Sequence, residues 1–191
     1  QAPLILPERG GVRLQVIIDE PDDTGRRSFG VHSRPDGDDD TPWSQNASGI
    51  LAPSGAAGLT AARPGTDLAQ WPPVGAEPID LTDCYPALAE AGLAYGSAFQ
   101  GLRALWRRGA QVYAEVALPE GTDTAGFGLH PALLDAALHP IAVAGMVPMD
   151  GRPVLPFSFE GVELFATGAT AVRVHLAPAP GAAVSVTVAD G

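Results

Sequence analysis

Leu129-His130-Pro131-Ala132-Leu133-Leu134-Asp135-Ala136-Ala137-Leu138-His139-Pro140 is the stretch whose reading decides the fold. Pro131 suits the first helical position, where its missing N–H costs nothing, and the spacing predicts a helix from Pro131 to about Ala144. Leu133, Leu134, Ala136, Ala137, Leu138 and Ile141 place apolar side chains on every face. A helix of that kind is normally buried. Asp135 nevertheless sits in its middle, and acidic residues are rarely buried unless paired or functional. His139 follows four residues later, on the same face and within hydrogen-bonding reach. Two readings fit this pair. One is an ordinary helix carrying an exposed Asp–His stripe. The other is a general acid in an apolar cavity, where burial disfavours the carboxylate and keeps a proton available for transfer. The nearby helix N-terminus favours the anion and opposes that effect.

Outward from this helix the pattern is that of strands. Leu102 to Arg108 and Gln111 to Leu118 fit two strands turning at Gly109. Ser158 to Phe165, Ala171 to Ala177 and Val184 to Ala189 fit three more. A short helix capped by Thr82 or Asp83 runs through Ala91, with Gly92 suited to its C-terminal position. A sheet wrapped around one apolar helix accounts for this half. Residues 52–78 are rich in Ala, Gly and Pro without apolar periodicity, and read as an extended linker. Before them, Val12 to Ile18, Arg27 to Ser33 and Trp43 to Leu51 fit an antiparallel meander, with Ile17 suggesting burial on both faces.

Composition narrows the function classes. The formal charge of -11 argues against a nucleic-acid partner, which demands a basic face. Asp36, Asp38, Asp39 and Asp40 read as a solvated turn. No apolar run is long enough to span a bilayer, and Gln1-Ala-Pro-Leu-Ile-Leu-Pro7 lacks the pattern of a signal peptide. The single Cys84 cannot form an intramolecular disulfide and fits a reducing cytoplasm. Both termini read as cuts within a larger polypeptide. His130, Asp135 and His139 superficially suggest a metal site, but His130 precedes the helix and no further ligand cluster exists, so none is expected. Ser97 lies in no nucleophile elbow, and Cys84 reads as a structural thiol.

Three segments then resemble one family. His130-Pro-Ala-Leu-Leu-Asp135-Ala-Ala-Leu-His139 resembles the second catalytic motif of polyketide synthase dehydratases, an Asp followed four residues later by Gln or His. Gly92-Leu-Ala-Tyr95-Gly96-Ser97-Ala-Phe99-Gln100-Gly101-Leu102 resembles the family's Gly-Tyr-x-Tyr-Gly-Pro-x-Phe, with Leu93 for Tyr and Ser97 for Pro. Leu155-Pro156-Phe157-Ser158-Phe159 resembles Leu-Pro-Phe-x-Trp, with Phe159 for Trp. The implied fold is an α+β double hotdog, antiparallel sheets each wrapped around a central helix, its first hotdog only partly present. Residues 1–51 would be the last strands of the first hotdog, 52–78 the linker and 79–191 the second hotdog.

The resemblance implies the dehydratase domain of a modular type I polyketide synthase, a multifunctional cytoplasmic enzyme. The reaction is elimination of water from a 3-hydroxyacyl thioester on an acyl carrier protein, giving the 2,3-enoyl thioester. Asp135 would be the proton donor, His139 would orient it, and Tyr95 would add a hydrogen bond near the leaving hydroxyl. Gly96, Phe99, Leu155, Pro156 and Phe157 would line the substrate tunnel. The domain would bind no cofactor, since phosphopantetheine belongs to the carrier protein. Partners would be that carrier, neighbouring synthase domains and a second copy in a homodimer, with no nucleic acid and no membrane. The family's catalytic His motif, His-x-x-x-Gly-x-x-x-x-Pro, does not occur: His32, His130, His139 and His175 all fail its spacing. The expectation is that it lies upstream of Gln1 and that this piece alone is inactive. A silent scaffold domain, or an isomerase or cyclase on the same fold, are the alternatives. Arg103, Arg107 and Arg108, set around Trp106, are a candidate docking cluster for the carrier's phosphate.

Overall fold

The computed structural model describes residues 2–53, 68, 70–148, 154–181 and 183–190. The chain divides into two compact units, Gln1–Thr60 and Ala61–Gly191.

The first unit is the expected meander. Strands β1 (Val12–Ile18), β2 (Arg27–Pro35) and β3 (Ser44–Leu51) pair antiparallel in that order. The β1–β2 turn is tied by Asp22, whose carboxylate accepts from the backbone N–H of Thr24 and Arg26. The acidic turn after β2 is more organised than a solvated loop. Arg13 pairs with Asp36 and Asp39, and Asp38 accepts from the Thr41 N–H and hydroxyl. The expectation of two-sided burial for β1 fails: Leu14, Val16, Ile17 and Ile18 are all exposed, because no element of this unit covers the sheet among the described residues.

The second unit is a hotdog. Its sheet runs β4 (Glu77–Pro78), β5 (Leu102–Arg108), β6 (Gln111–Ala117), β7 (Ala171–Ala179) and β8 (Ala183–Asp190), each antiparallel to its neighbour. Gly109, at φ +60°, allows the tight β5–β6 turn. Helix α1 (Cys84–Glu90) precedes β5, and α2 (Pro131–Val143) lies between β6 and β7. The core forms where α2 meets the sheet: Leu133, Ala136 and Ala137 pack with Leu105, Val112, Val116, Val174 and Leu176. The linker assigned to 52–78 falls largely on residues 54–67 and 69, outside those described. Within its described end, however, Trp71 lies edge-on to Trp106 and Tyr113, its indole N–H donates to Glu115, and Glu77–Pro78 pairs with β5, so this part packs on the sheet and is not an extended linker.

Both helices end alike. After α1, the N–H groups of Gly92 and Leu93 return to the carbonyls of Ala89 and Leu88; after α2, those of Gly145 and Met146 return to Ala142 and Ile141. Each glycine takes the positive φ that this double cap requires.

One expected strand is absent. Ser158–Phe165 belongs to no sheet, and Phe157, Phe159, Val162, Leu164 and Phe165 are exposed. The stretch has apolar side chains at strand-like intervals but no ladder partner among the described residues, and Gly161 breaks it at φ +61°.

Candidate active site

Helix α2 presents the site from its middle. His130 is its N-cap, and His130 Nδ1 accepts the Ala132 N–H at 3.2 Å. That bond commits His130 Nδ1 to helix capping, and its ring packs edge-on to Phe127. One turn on, His139 Nε2 lies 3.1 Å from Asp135 Oδ2. The burial falls between the two readings: the imidazole is buried and the carboxylate is half open. The His139 side chain is 2% exposed and that of Asp135 is 41% exposed. The carboxylate is therefore a half-open group anchored by a buried imidazole, rather than an acid sealed in an apolar cavity. The reason is helical phase: Leu133, Ala136, Ala137 and Pro140 take the sheet-facing positions, and Leu134 and Asp135 fall toward the opposite edge.

Burial holds His139 below the ordinary imidazole range, against the opposing pull of Asp135. His139 is thus neutral near pH 7. Tyr95 packs over it, ring centroids 4.1 Å apart. Burial first, and the charge of Asp135 second, raise the Tyr95 phenol above its usual value. Tyr95 is held by the short 3-10 turn Ser97–Phe99, since Gln100 donates to the Tyr95 carbonyl at 2.8 Å.

The structure thus gathers Asp135, His139 and Tyr95 from the expected residues. Gly96 opens the 3-10 turn with free space at its Cα, and Phe99 is 40% exposed beside it. Leu155, Pro156 and Phe157 are exposed, and it is Leu164, further along, that faces Gly128 in the loop before α2. The arginine cluster is dispersed. Arg107 donates to the carbonyl of Ala144 at the end of α2, and Arg108 to Tyr113 and Gln111, leaving Arg103 the most weakly tied.

Sequence reasoning missed Tyr85. Its hydroxyl lies 3.4 Å from His139 Nδ1 and accepts the Leu102 N–H at 2.9 Å. The available signal was an aromatic with a polar tip on a short helix that is otherwise apolar up to Ala89; such tips find partners when buried.

A family model described as the polyketide synthase dehydratase N-terminal domain matches residues 63–191. The chain belongs to the polyketide synthase dehydratase family. It is 51% identical over 195 residues to the polyketide synthase GfsA of Streptomyces halstedii, covering 100% of this chain and 3% of that protein. Among solved structures, the dehydratase domain from the terminal module of the rifamycin polyketide synthase aligns with a TM-score of 0.85 at 41% identity, over 100% of this chain and 66% of that one. A bifunctional dehydratase-cyclase domain of ambruticin biosynthesis aligns at 0.83 with 44% identity, over 100% and 67%. The chain therefore spans a small part of the large synthases it matches and about two thirds of the isolated dehydratase domains. Its hotdog fold is that of the family. Among the described residues no helix is long and apolar enough to cross a membrane.

Proposed function

We propose that this dehydratase segment supplies the acid half of a hydro-lyase that converts a 3-hydroxyacyl thioester on an acyl carrier protein into the 2,3-enoyl thioester and water. The observation that carries the reading is the half-open carboxylate of Asp135, anchored through one oxygen by the buried, neutral His139. Asp135 Oδ2 is occupied by His139, so Oδ1 is the oxygen left to carry a proton toward substrate. A base removes the proton alpha to the thioester carbonyl; Asp135 delivers its proton to the departing 3-hydroxyl, which leaves as water because hydroxide is a poor leaving group. By resemblance to the family, the base is a His upstream of Gln1, so the 191-residue chain by itself holds one of the two proton-transfer groups and does not turn over. Tyr95, over the His139 ring, adds a hydrogen bond beside the leaving oxygen, and Gly96, Phe99 and the Leu155-Pro156-Phe157 segment line the acyl path. The domain binds no cofactor of its own; the substrate arrives on the phosphopantetheine of the carrier protein. The enzyme works in the cytoplasm as part of a homodimeric synthase. With Arg107 and Arg108 tied internally, carrier docking is not assigned to the arginine cluster.

The test is turnover of a 3-hydroxyacyl thioester by the intact domain. Asp135→Asn keeps the shape and removes the transferable proton, and is expected to lower kcat at least about 100-fold. Near-wild-type dehydration by that variant would overturn the assignment. Membership beside a dehydratase-cyclase gives a second reading, ring closure of the enoyl product by an internal hydroxyl. Mass-neutral conversion of the enoyl thioester to a cyclic ether distinguishes it.

A further inference from the structure

The hydrogen-bond chain through His139 has one internally consistent direction. Tyr85 Oη accepts the Leu102 N–H at 2.9 Å, so one of its lone pairs is committed. Its hydroxyl proton then needs an acceptor, and His139 Nδ1 lies 3.4 Å away. On the other side of the ring, His139 Nε2 faces Asp135 Oδ2 at 3.1 Å. A neutral imidazole has one N–H donor and one bare acceptor nitrogen. If Tyr85 donates to Nδ1, Nε2 carries the hydrogen and donates to the carboxyl of Asp135. Every donor and acceptor is then used once. The opposite direction leaves the Tyr85 hydroxyl proton without an acceptor among the described residues and makes the carboxyl donate to the imidazole, spending its proton on His139.

We propose that Tyr85 is a positioning residue for the site: through its hydroxyl it fixes His139 as the Nε2–H tautomer, so that His139 acts only as a donor to Asp135 Oδ2. The hydrogen bonds of Tyr85 go to Leu102 and His139, so it acts on Asp135 through His139. The tertiary frame supports the role. Tyr85 comes from α1, Leu102 from the start of β5 and His139 from α2, so the chain of bonds ties three elements together at the site. The Tyr85 ring also stands edge-on to both Tyr95 and His139, at 6.2 Å and 5.8 Å, which restricts where its hydroxyl points. Burial keeps His139 neutral, so a defined tautomer, and not a charge, is what Tyr85 has to set.

The proposal rests on the dehydratase reading for its consequence, but its test does not need turnover. Isolated dehydratase domains of relatives crystallise as units, and the intact domain is the sample. With 15N-labelled histidine imidazoles, the His139 resonances are identified by their loss in His139→Gln. The wild type is expected to show a protonated, pyrrole-like Nε2 and a bare, pyridine-like Nδ1. Tyr85→Phe is expected to collapse that pattern toward a tautomer mixture and to lower kcat roughly tenfold, the worth of about one hydrogen bond, with KM unchanged. A wild-type His139 carrying its hydrogen on Nδ1, or on both nitrogens, overturns the proposal, and this readout survives even if Tyr85→Phe fails to fold for want of an acceptor for Leu102. An unchanged tautomer in a folded Tyr85→Phe, or a changed tautomer with wild-type kcat, also overturns it. Failure of Asp135 as the acid is read separately, from Asp135→Asn.

Discussion

Strands β1 and β6 are each seven residues long and both contain two valines and alternating apolar positions. In β6, Val112 is fully buried and Val116 is 1% exposed; in β1, Val16 is 62% exposed. The difference lies in what each sheet has to pack against. The β5–β7 face closes on α2, whereas the β1–β3 sheet has no helix of its own among the described residues. Among the described residues, buried His32 Nδ1, Arg34 Nε and Asn46 Oδ1 also lack hydrogen-bond partners there. Strand pattern thus sets the pairing and the register, and the second layer decides whether that pattern becomes a core.

The sharpest way to break this comparison is a matched pair of truncations. Leu133→Ala, at a fully buried position on α2, is expected to cost about 2–5 kcal/mol of unfolding free energy. Leu14→Ala, on the open β1, is expected to stay within about 0.5 kcal/mol. Denaturant unfolding followed by tryptophan fluorescence measures both, with Trp43 reporting on the first unit and Trp71 and Trp106 on the second. Equal losses would show that the β1 face is packed after all.

A smaller effect tests how closely α2 and the sheet approach. A Cβ added at Gly101 would sit 2.9 Å from Ala136 Cβ and 3.0 Å from the Ala117 carbonyl. Gly101→Ala is expected to cost about 1–3 kcal/mol, and, because Ala136 adjoins Asp135, to lower kcat for dehydration more than it raises KM. Gly96→Ala, with open space around it, is the control and should leave stability nearly unchanged.

The smallest effect is electrostatic and confined to the helix side. Burial depresses the pKa of His139, so the unfolded chain takes up a proton first as pH falls below the ordinary imidazole value of about 6.5. The stability held by neutral His139 is therefore fully present above that pH and is lost as pH drops toward the folded-state value. A stability profile between pH 7.5 and 5 is expected to fall in the wild type and to flatten in His139→Gln. A slope that survives the substitution must come from other groups.

Much of this was legible in the sequence because it is local. The Asp135–His139 bond follows from four-residue helical spacing, the start of the central helix from Pro131, and the end of the short helix from Gly92. What depends on distant neighbours was not. Tyr85 reaches His139 across 54 positions, and its own stretch of sequence does not say which partner its hydroxyl meets. The exposure of Asp135 depends on which edge of α2 the sheet leaves open. Apolar spacing in Ser158–Phe165 reads as a strand because pattern records side chains, while a ladder needs a second backbone alongside. Arg107 and Arg108 looked like free charge, since sequence does not show that Ala144 and Tyr113 lie within reach of them.

One attachment of α2 has a consequence for aim. Arg107, reaching from β5, holds the carbonyl of Ala144 at the end of α2. A helix can otherwise roll about its long axis at little expense to its own backbone bonds, like an axle without bearings. Side-chain tips ride about 5–6 Å from that axis, so a roll of about 10° sweeps a carboxylate sideways by about 1 Å. Displacements of that size are enough to cost a reaction about a hundredfold in rate. The guanidinium of Arg107 is such a bearing, and it helps to hold the angular setting of Asp135 from outside the site.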